Sequence, residues 1–185
     1  MPRSGTSLMM QMLVAGGLEP VIDEQRPADD DNPRGYFEHA AVKALGQDPS
    51  RFAGLAIDGR VVKVVSPLLA KLPVGPRYAV VFVERDPAEM LASQQKMLAR
   101  LGRTGGALSP EKMTAALGAQ HAKAVAGAEA RGDMQAIRVA HRGCIDASAE
   151  HAAEVAGFVG AFLGRDLSPT AMASAVDPSL YRNRG

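Results

Sequence analysis

Pro2-Arg3-Ser4-Gly5-Thr6-Ser7 runs straight into the apolar stretch Leu8-Met9-Met10-Gln11-Met12-Leu13. A turn of small residues that opens a helix leaves backbone N–H groups free to point at an anion. The positive end of the helix adds to their field, and Ser and Thr hydroxyls supply further donors. The helix is expected over about Thr6 to Ala15, where Gly16-Gly17 stops it. Turns of this composition also serve as plain helix caps, so the stretch alone does not separate an anion site from a cap.

Downstream of Gly17 the periodic pattern breaks. Pro20, Pro27, Asp29 to Asp31, Asn32, Pro33 and Gly35 make a long polar loop reaching Glu38, and loops of that length in compact domains are often functional. A short helix is expected over Ala40 to Leu45. Val61-Val62-Lys63-Val64-Val65, ended by Ser66-Pro67, reads as a strand. Tyr78 to Val83 reads as a second, apolar enough for both faces to be buried in a parallel sheet. Asp86 then suits an N-cap, Pro87 the first helical position and Glu89 the third residue of a capping box. Met90, Leu91, Gln94, Met97, Leu98 and Leu101 continue at helical spacing.

Ser109-Pro110-Glu111 opens another helix to about Ala130, and Ala136 to Ala140 is a third strand candidate. Ser148 could cap a last helix whose apolar face is Val155, Phe158, Val159, Phe162 and Leu163, ended by Gly164. Strands alternating with helices indicate one α/β domain over residues 1–185 with a mainly parallel sheet.

Composition narrows the partners. A chain of 185 residues can bury roughly 70% of its unfolded surface, enough for a full core. Its 21 basic and 20 acidic residues leave a net charge of +1, so no global field recommends nucleic acid or an anionic membrane. Cys144 is alone, which excludes an internal disulfide and a thiolate metal cluster. The four His residues lack ligand spacing, and the consecutive acids Asp29 to Asp31 point different ways, so no metal is expected. Without a membrane-length apolar stretch or a signal sequence, a soluble cytoplasmic protein is the expectation. The methionines at helical spacing are expected to fill the core.

A second grip is legible further along. Arg85 follows the Tyr78–Val83 run, and Ser93 lies about two turns into the capped helix. A guanidinium and a hydroxyl there could hold a second phosphate roughly 10 Å from the first. Taken alone, Arg-Asp-Pro at a strand end also reads as a structural turn with a surface ion pair.

Both grips together carry a family resemblance. Ordinary P-loops read Gly-x4-Gly-Lys-[Ser/Thr]. Here Thr6 stands where the Lys would be, and the cation is Arg3, inside the loop. That variant resembles the 5′-phosphosulfate loop of sulfotransferases that use 3′-phosphoadenosine 5′-phosphosulfate (PAPS), and Arg85-x7-Ser93 resembles their 3′-phosphate site. Asp31 to Glu38, Val62 to Leu69 and Asp177 to Arg184 also resemble bacterial members, so the likeness spans essentially the whole chain.

The resemblance implies a P-loop-type three-layer α/β fold and transfer of a sulfuryl group from PAPS, as co-substrate, to a hydroxyl or amine of a small-molecule or biopolymer acceptor. No metal is implied. In that family a central strand feeds the loop, and nothing precedes Pro2 here, so the N-terminal central strand is expected to be missing. The resemblance gives Arg3 the role of the catalytic cation. Ser4, Gly5, Thr6 and Ser7 would bind the phosphosulfate, Arg85 and Ser93 the 3′-phosphate, with Arg182 and Arg184 closing over it. Glu38 is the candidate base and His39 its competitor. Lys63 lies beside the ligand edge with its direction open, and His141 and Arg142 suit an acceptor pocket by location. A small P-loop nucleotide kinase and an inactive truncated nucleotide-binding remnant are the competing readings.

Overall fold

The computed structural model describes residues 5–23, 32, 34–100, 102 and 109–180, and of residues 94, 96–98 and 100 the backbone alone. Arg3, Ser4, Arg182 and Arg184 lie outside the described residues, as do Asp29 to Asp31.

Helix α1 spans Thr6–Ala15 and Gly16 caps it, as its spacing predicts. The residue before it, Gly5, has φ 89°, a left-handed conformation that glycine enters without penalty. Met9, Met10, Met12 and Leu13 are buried, so these methionines are core residues; Met90 is too. Two strands form the sheet, β1 (Tyr78–Glu84) and β2 (Met134–Ala140). They pair in parallel, Tyr78 opposite Met134 and Glu84 opposite Ala140.

Between and after the strands run the helices. α2 (Ala40–Lys43), continued by a 3-10 turn over Ala44–Gly46, fills the place of the helix expected over 40–45. α3 (Ser50–Ala53) and α4 (Ser66–Leu69) are single turns. α5 (Pro87–Arg100) starts as its sequence foretells, with Asp86 Oδ1 accepting from the Ala88 N–H at 2.7 Å. α6 (Pro110–Glu129) is capped by Ser109, whose hydroxyl accepts from the Lys112 N–H. α7 (His141–Asp146) follows β2 directly. α8 (Ser148–Leu163) ends at Gly164, and α9 (Pro169–Ser174) follows.

At the start of α5 Asp86 Oδ1 also accepts from the Glu89 N–H at 3.4 Å, and the Glu89 carboxylate accepts from Arg85 Nε at 3.1 Å. Two expectations need correction. Ser148 is the first helical residue of α8 rather than its cap. Residues 61–65 form no strand: their one sheet-type pairing is the isolated parallel bridge between Pro20 and Val61. The run is extended and β-branched as a strand should be, but no strand among the described residues offers it a ladder.

Alternate strand residues face opposite ways, and two apolar cores result. Val81, Val83, Ile137 and Val139 join α1, α8 and Leu167 on one face of the sheet. Tyr78, Val80, Phe82, Met134 and Ala136 join Phe52, Leu69, Leu72 and Val125 on the other. The 61–65 run follows the same alternation. Val61 belongs to the first core, whereas Val62 and Val64 pack on the second.

Between that run and β1 lies a cleft of about 780 Å³. Every residue from 61 to 64 and from 78 to 83 lines it. Consecutive residues of an extended segment can share a cavity only if the segment meets it edge-on. The cleft therefore lies in the plane of the sheet, between two facing edges.

Candidate functional site

The strands β1 and β2 end side by side, and the chain chemistry converges there. In the parallel register Glu84 faces Ala140, so the next residues, Arg85 and His141, emerge together. This is the carboxyl end of the sheet, where open parallel sheets bind ligands. Gly5, at the head of α1, reaches the same place: a Cβ on Gly5 would stand 2.0 Å from His141 Cδ2. The imidazole thus sits against bare backbone that no other residue would leave open.

Ser7 is the best-anchored member of the first turn. Lys63 Nζ donates to its hydroxyl at 3.1 Å, and Asn32 Nδ2 donates at 3.0 Å. With both lone pairs engaged, the hydroxyl has its single proton left to offer. Lys63 also donates to the Tyr36 carbonyl at 2.7 Å, and its side chain is only 10% exposed. Its direction, open in the sequence, is toward α1.

The segment before α2 carries Glu38. Its carboxylate lies 2.8 Å from Lys43 Nζ and 3.8 Å from Lys63 Nζ, so two ammonium groups balance its charge. The backbone is forced there: Phe37 takes φ 52°, a left-handed conformation that costs a bulky residue about 1–3 kcal/mol. Such an outlier directly before a carboxylate is a mark of functional sites. His39 next to it has another task. Its Nδ1 accepts from the Ala41 N–H at 3.1 Å and caps α2, which leaves Nε2 for chemistry.

Arg85 and Ser93 are both inside the protein. The Arg85 side chain is 7% exposed and paired with Glu89, itself 15% exposed; Ser93 is 2% exposed. Glu89 engages the guanidinium at Nε. His141 is 5% exposed. Burial, with the Arg85 charge adding to it against Glu89, lowers its pKa to about 4, so the ring is neutral at physiological pH. Arg142, its neighbour, points out and pairs with Asp146 at 3.2 Å.

The segments after 32 and around 177, distant in sequence, are tied together. Arg34 donates to the Ala175 carbonyl at 2.6 Å and pairs with Asp177 at 3.2 Å. Two hydrogen bonds from Ser179, then the Arg34 charge, hold Asp177 below the ordinary carboxylate range.

Sequence reasoning singled out Gly5, Thr6, Ser7, Glu38, His39, Arg85 and Ser93. Of these, Gly5, Ser7 and Glu38 meet around Lys63 or His141, and Arg85 joins them through His141. Asn32 was named in the polar loop but given no role of its own; its side chain donates to the Gly35 carbonyl at 2.5 Å as well as to Ser7. Lys63 carried a signal as well, a lone charge in a β-branched run.

Among the described residues no group of three or more His, Cys, Asp or Glu is placed to hold a metal ion, and no helix is long and apolar enough to cross a membrane. No family model matches the chain, and no curated protein or solved structure is matched either.

Proposed function

We propose that the chain is a sulfotransferase moving a sulfuryl group from PAPS to a hydroxyl or amine acceptor. The observation that carries this reading is the convergence on one sheet end of the α1 N-terminus, the buried Lys63 and Arg85, with His141 between. A helix N-terminus with a donating Ser7 and a lysine suits one anionic group; an arginine one strand away suits a second.

In such a transfer the attacking oxygen and the leaving phosphate oxygen stand in line across the sulfur, and the transition state is loose. Catalysis is then mostly positioning and charge stabilisation. The α1 N–H groups, Thr6 and Ser7 would hold the 5′-phosphosulfate, and the resemblance adds Arg3 and Ser4. Lys63, fixed by Ser7 and Tyr36 before any ligand arrives, meets the charge that builds on the leaving oxygen without reorganising. Glu38 accepts the acceptor's proton, with Lys43 and Lys63 flanking the carboxylate.

The same reading takes the fold to be P-loop-type and three-layered. In that arrangement a central strand leads into the Gly5 turn, and the edge-on cleft is its place.

Titration with adenosine 3′,5′-bisphosphate and with ADP, each with and without Mg2+, tests the function. The bisphosphate is expected to bind at least about tenfold tighter, and Arg85→Ala to remove most of that advantage. Tighter ADP binding that needs Mg2+ would mean a kinase, and binding of neither would mean a remnant.

A further inference from the structure

We propose that His141 couples the two anion grips: its ring is the spacer that sets the Gly5 turn against Arg85, so that the protein selects ligands bearing two phosphates at one separation. The proposal rests on the sulfotransferase reading and adds a residue to which that reading gives no role.

The geometry comes from three elements. β2 ends at Ala140, opposite Glu84, which sets His141 beside Arg85 at the sheet end. α1 begins at Thr6, and the Gly5 that precedes it meets the ring at a distance that admits no Cβ. α5 supplies Glu89, which pairs with Arg85 and acts with it on the imidazole. A shift of the ring toward α1 therefore moves the Gly5 backbone, while the paired strand ends carry His141 and Arg85 side by side. An imidazole 5% exposed has little freedom to shift alone.

Two grips held rigidly bind a two-headed ligand better than two loose ones, because the second contact is made without further ordering. The ring is also neutral, so it brings no charge of its own to a phosphate. Its effect should therefore appear in the advantage of two phosphates over one, and not in the affinity for either alone.

The test is calorimetric titration of the full chain with adenosine 3′,5′-bisphosphate and with AMP, for wild type, His141→Ala and His141→Gln. Wild type is expected to prefer the bisphosphate by about tenfold or more. In His141→Ala that preference should fall to about twofold, with AMP affinity changed less than about threefold. His141→Gln, neutral and similar in length, should keep most of the preference, and His141→Ser, which also deletes the ring, replaces the alanine variant if that does not fold. A preference that survives in both variants, or an equal loss for both ligands, would overturn the coupling role. A wild-type protein that binds neither nucleotide would instead overturn the functional reading, and the coupling with it.

Discussion

Lys63 Nζ donates to Ser7 Oγ at 3.1 Å, joining the extended 61–65 run to the first turn of α1 across 56 positions of chain. The contact shows which side of that run meets α1. Val62 and Val64 pack into one core and Val61 into the other, so Lys63 shares its side of the run with Val61 and with α1. An ammonium that is mostly buried is costly unless fully engaged, and here Ser7, Tyr36 and Glu38 engage it.

Lys63→Met keeps the length and removes the charge. Ser7 and the Tyr36 carbonyl each lose a donor, at about 1–3 kcal/mol in total stability, and Glu38 loses one of two neighbouring ammonium groups. Nucleotide affinity should fall by at least about tenfold. Lys63→Arg should not restore it, because a planar fork cannot replace a point charge with three rotating donors. Melting curves and titration with the bisphosphate check both parts; wild-type affinity in Lys63→Met would remove Lys63 from the site.

Gly5→Ala meets two obstacles at once. The new methyl would stand 2.0 Å from His141 Cδ2, and φ 89° is a conformation that alanine avoids. Together these should cost about 2–5 kcal/mol, read from the denaturant midpoint. The double variant Gly5→Ala/His141→Ala removes the clash and keeps the backbone strain, so it should be less unstable than the two separate losses predict. Strict additivity would mean that the ring and the turn do not touch.

Acid should destabilise the fold through His141. The imidazole is held near 4 in the folded protein, against about 6.5 unfolded. The unfolded chain therefore binds more protons between those values. The contribution is complete above about pH 6.5 and is lost as pH falls toward about 4, with a span of roughly 3 kcal/mol. His141→Gln should flatten that part of the stability–pH curve, measured by denaturant unfolding from about pH 7.5 to about 4.5. An unchanged slope would place the acid sensitivity elsewhere.

The helices were legible because their punctuation is local. Gly16 and Gly164 stop α1 and α8, and Ser109 and Asp86 begin α6 and α5 by bonds to their own neighbours. The β1 and β2 strands were legible from apolar runs alone. Residues 61–65 carry as strong a strand pattern, yet whether they pair depends on what lies beside them, which their own composition cannot say. The single turns α3 and α4 are too short for periodicity to register. At the site, the Gly5 turn, Glu38 and Arg85 could be named from motif position. The burial of Arg85 against Glu89 and the insertion of His141 could not, since both depend on how distant segments pack around the sheet end.

Glu38→Gln separates proton transfer from binding. The amide keeps the shape and can still meet Lys43, but it cannot take a proton from an acceptor. Turnover with PAPS and a model alcohol or amine should drop by about 10²- to 10⁴-fold, with bisphosphate affinity within a few fold of wild type. His39→Gln should act differently. It removes the imidazole that caps α2, so about 1 kcal/mol of stability is at stake rather than the rate. If turnover followed His39 instead, Nε2 would be the base.

The two facing edges make a prediction about the fold itself. All residues from 78 to 83 line the cleft, and among the described residues β2 alone pairs with β1. Alternate β1 amides facing away from β2 have no ladder partner among those residues and should exchange with solvent faster than those bonded to β2. A chain extended ahead of Met1 by a β-branched apolar segment of about five to seven residues ending in Gly should fill the gap. It would run parallel to β1, lead into the Gly5 turn, and pair with β1 on one side and 61–65 on the other. The melting temperature should rise by at least about 10 °C, since several ladder bonds and a buried strand are gained. The same β1 amides should become protected. A scrambled extension with Lys at alternate positions should do neither, because one of its faces would have to enter a core. Equal protection with both extensions, or none with either, would mean that the cleft is not a strand's place.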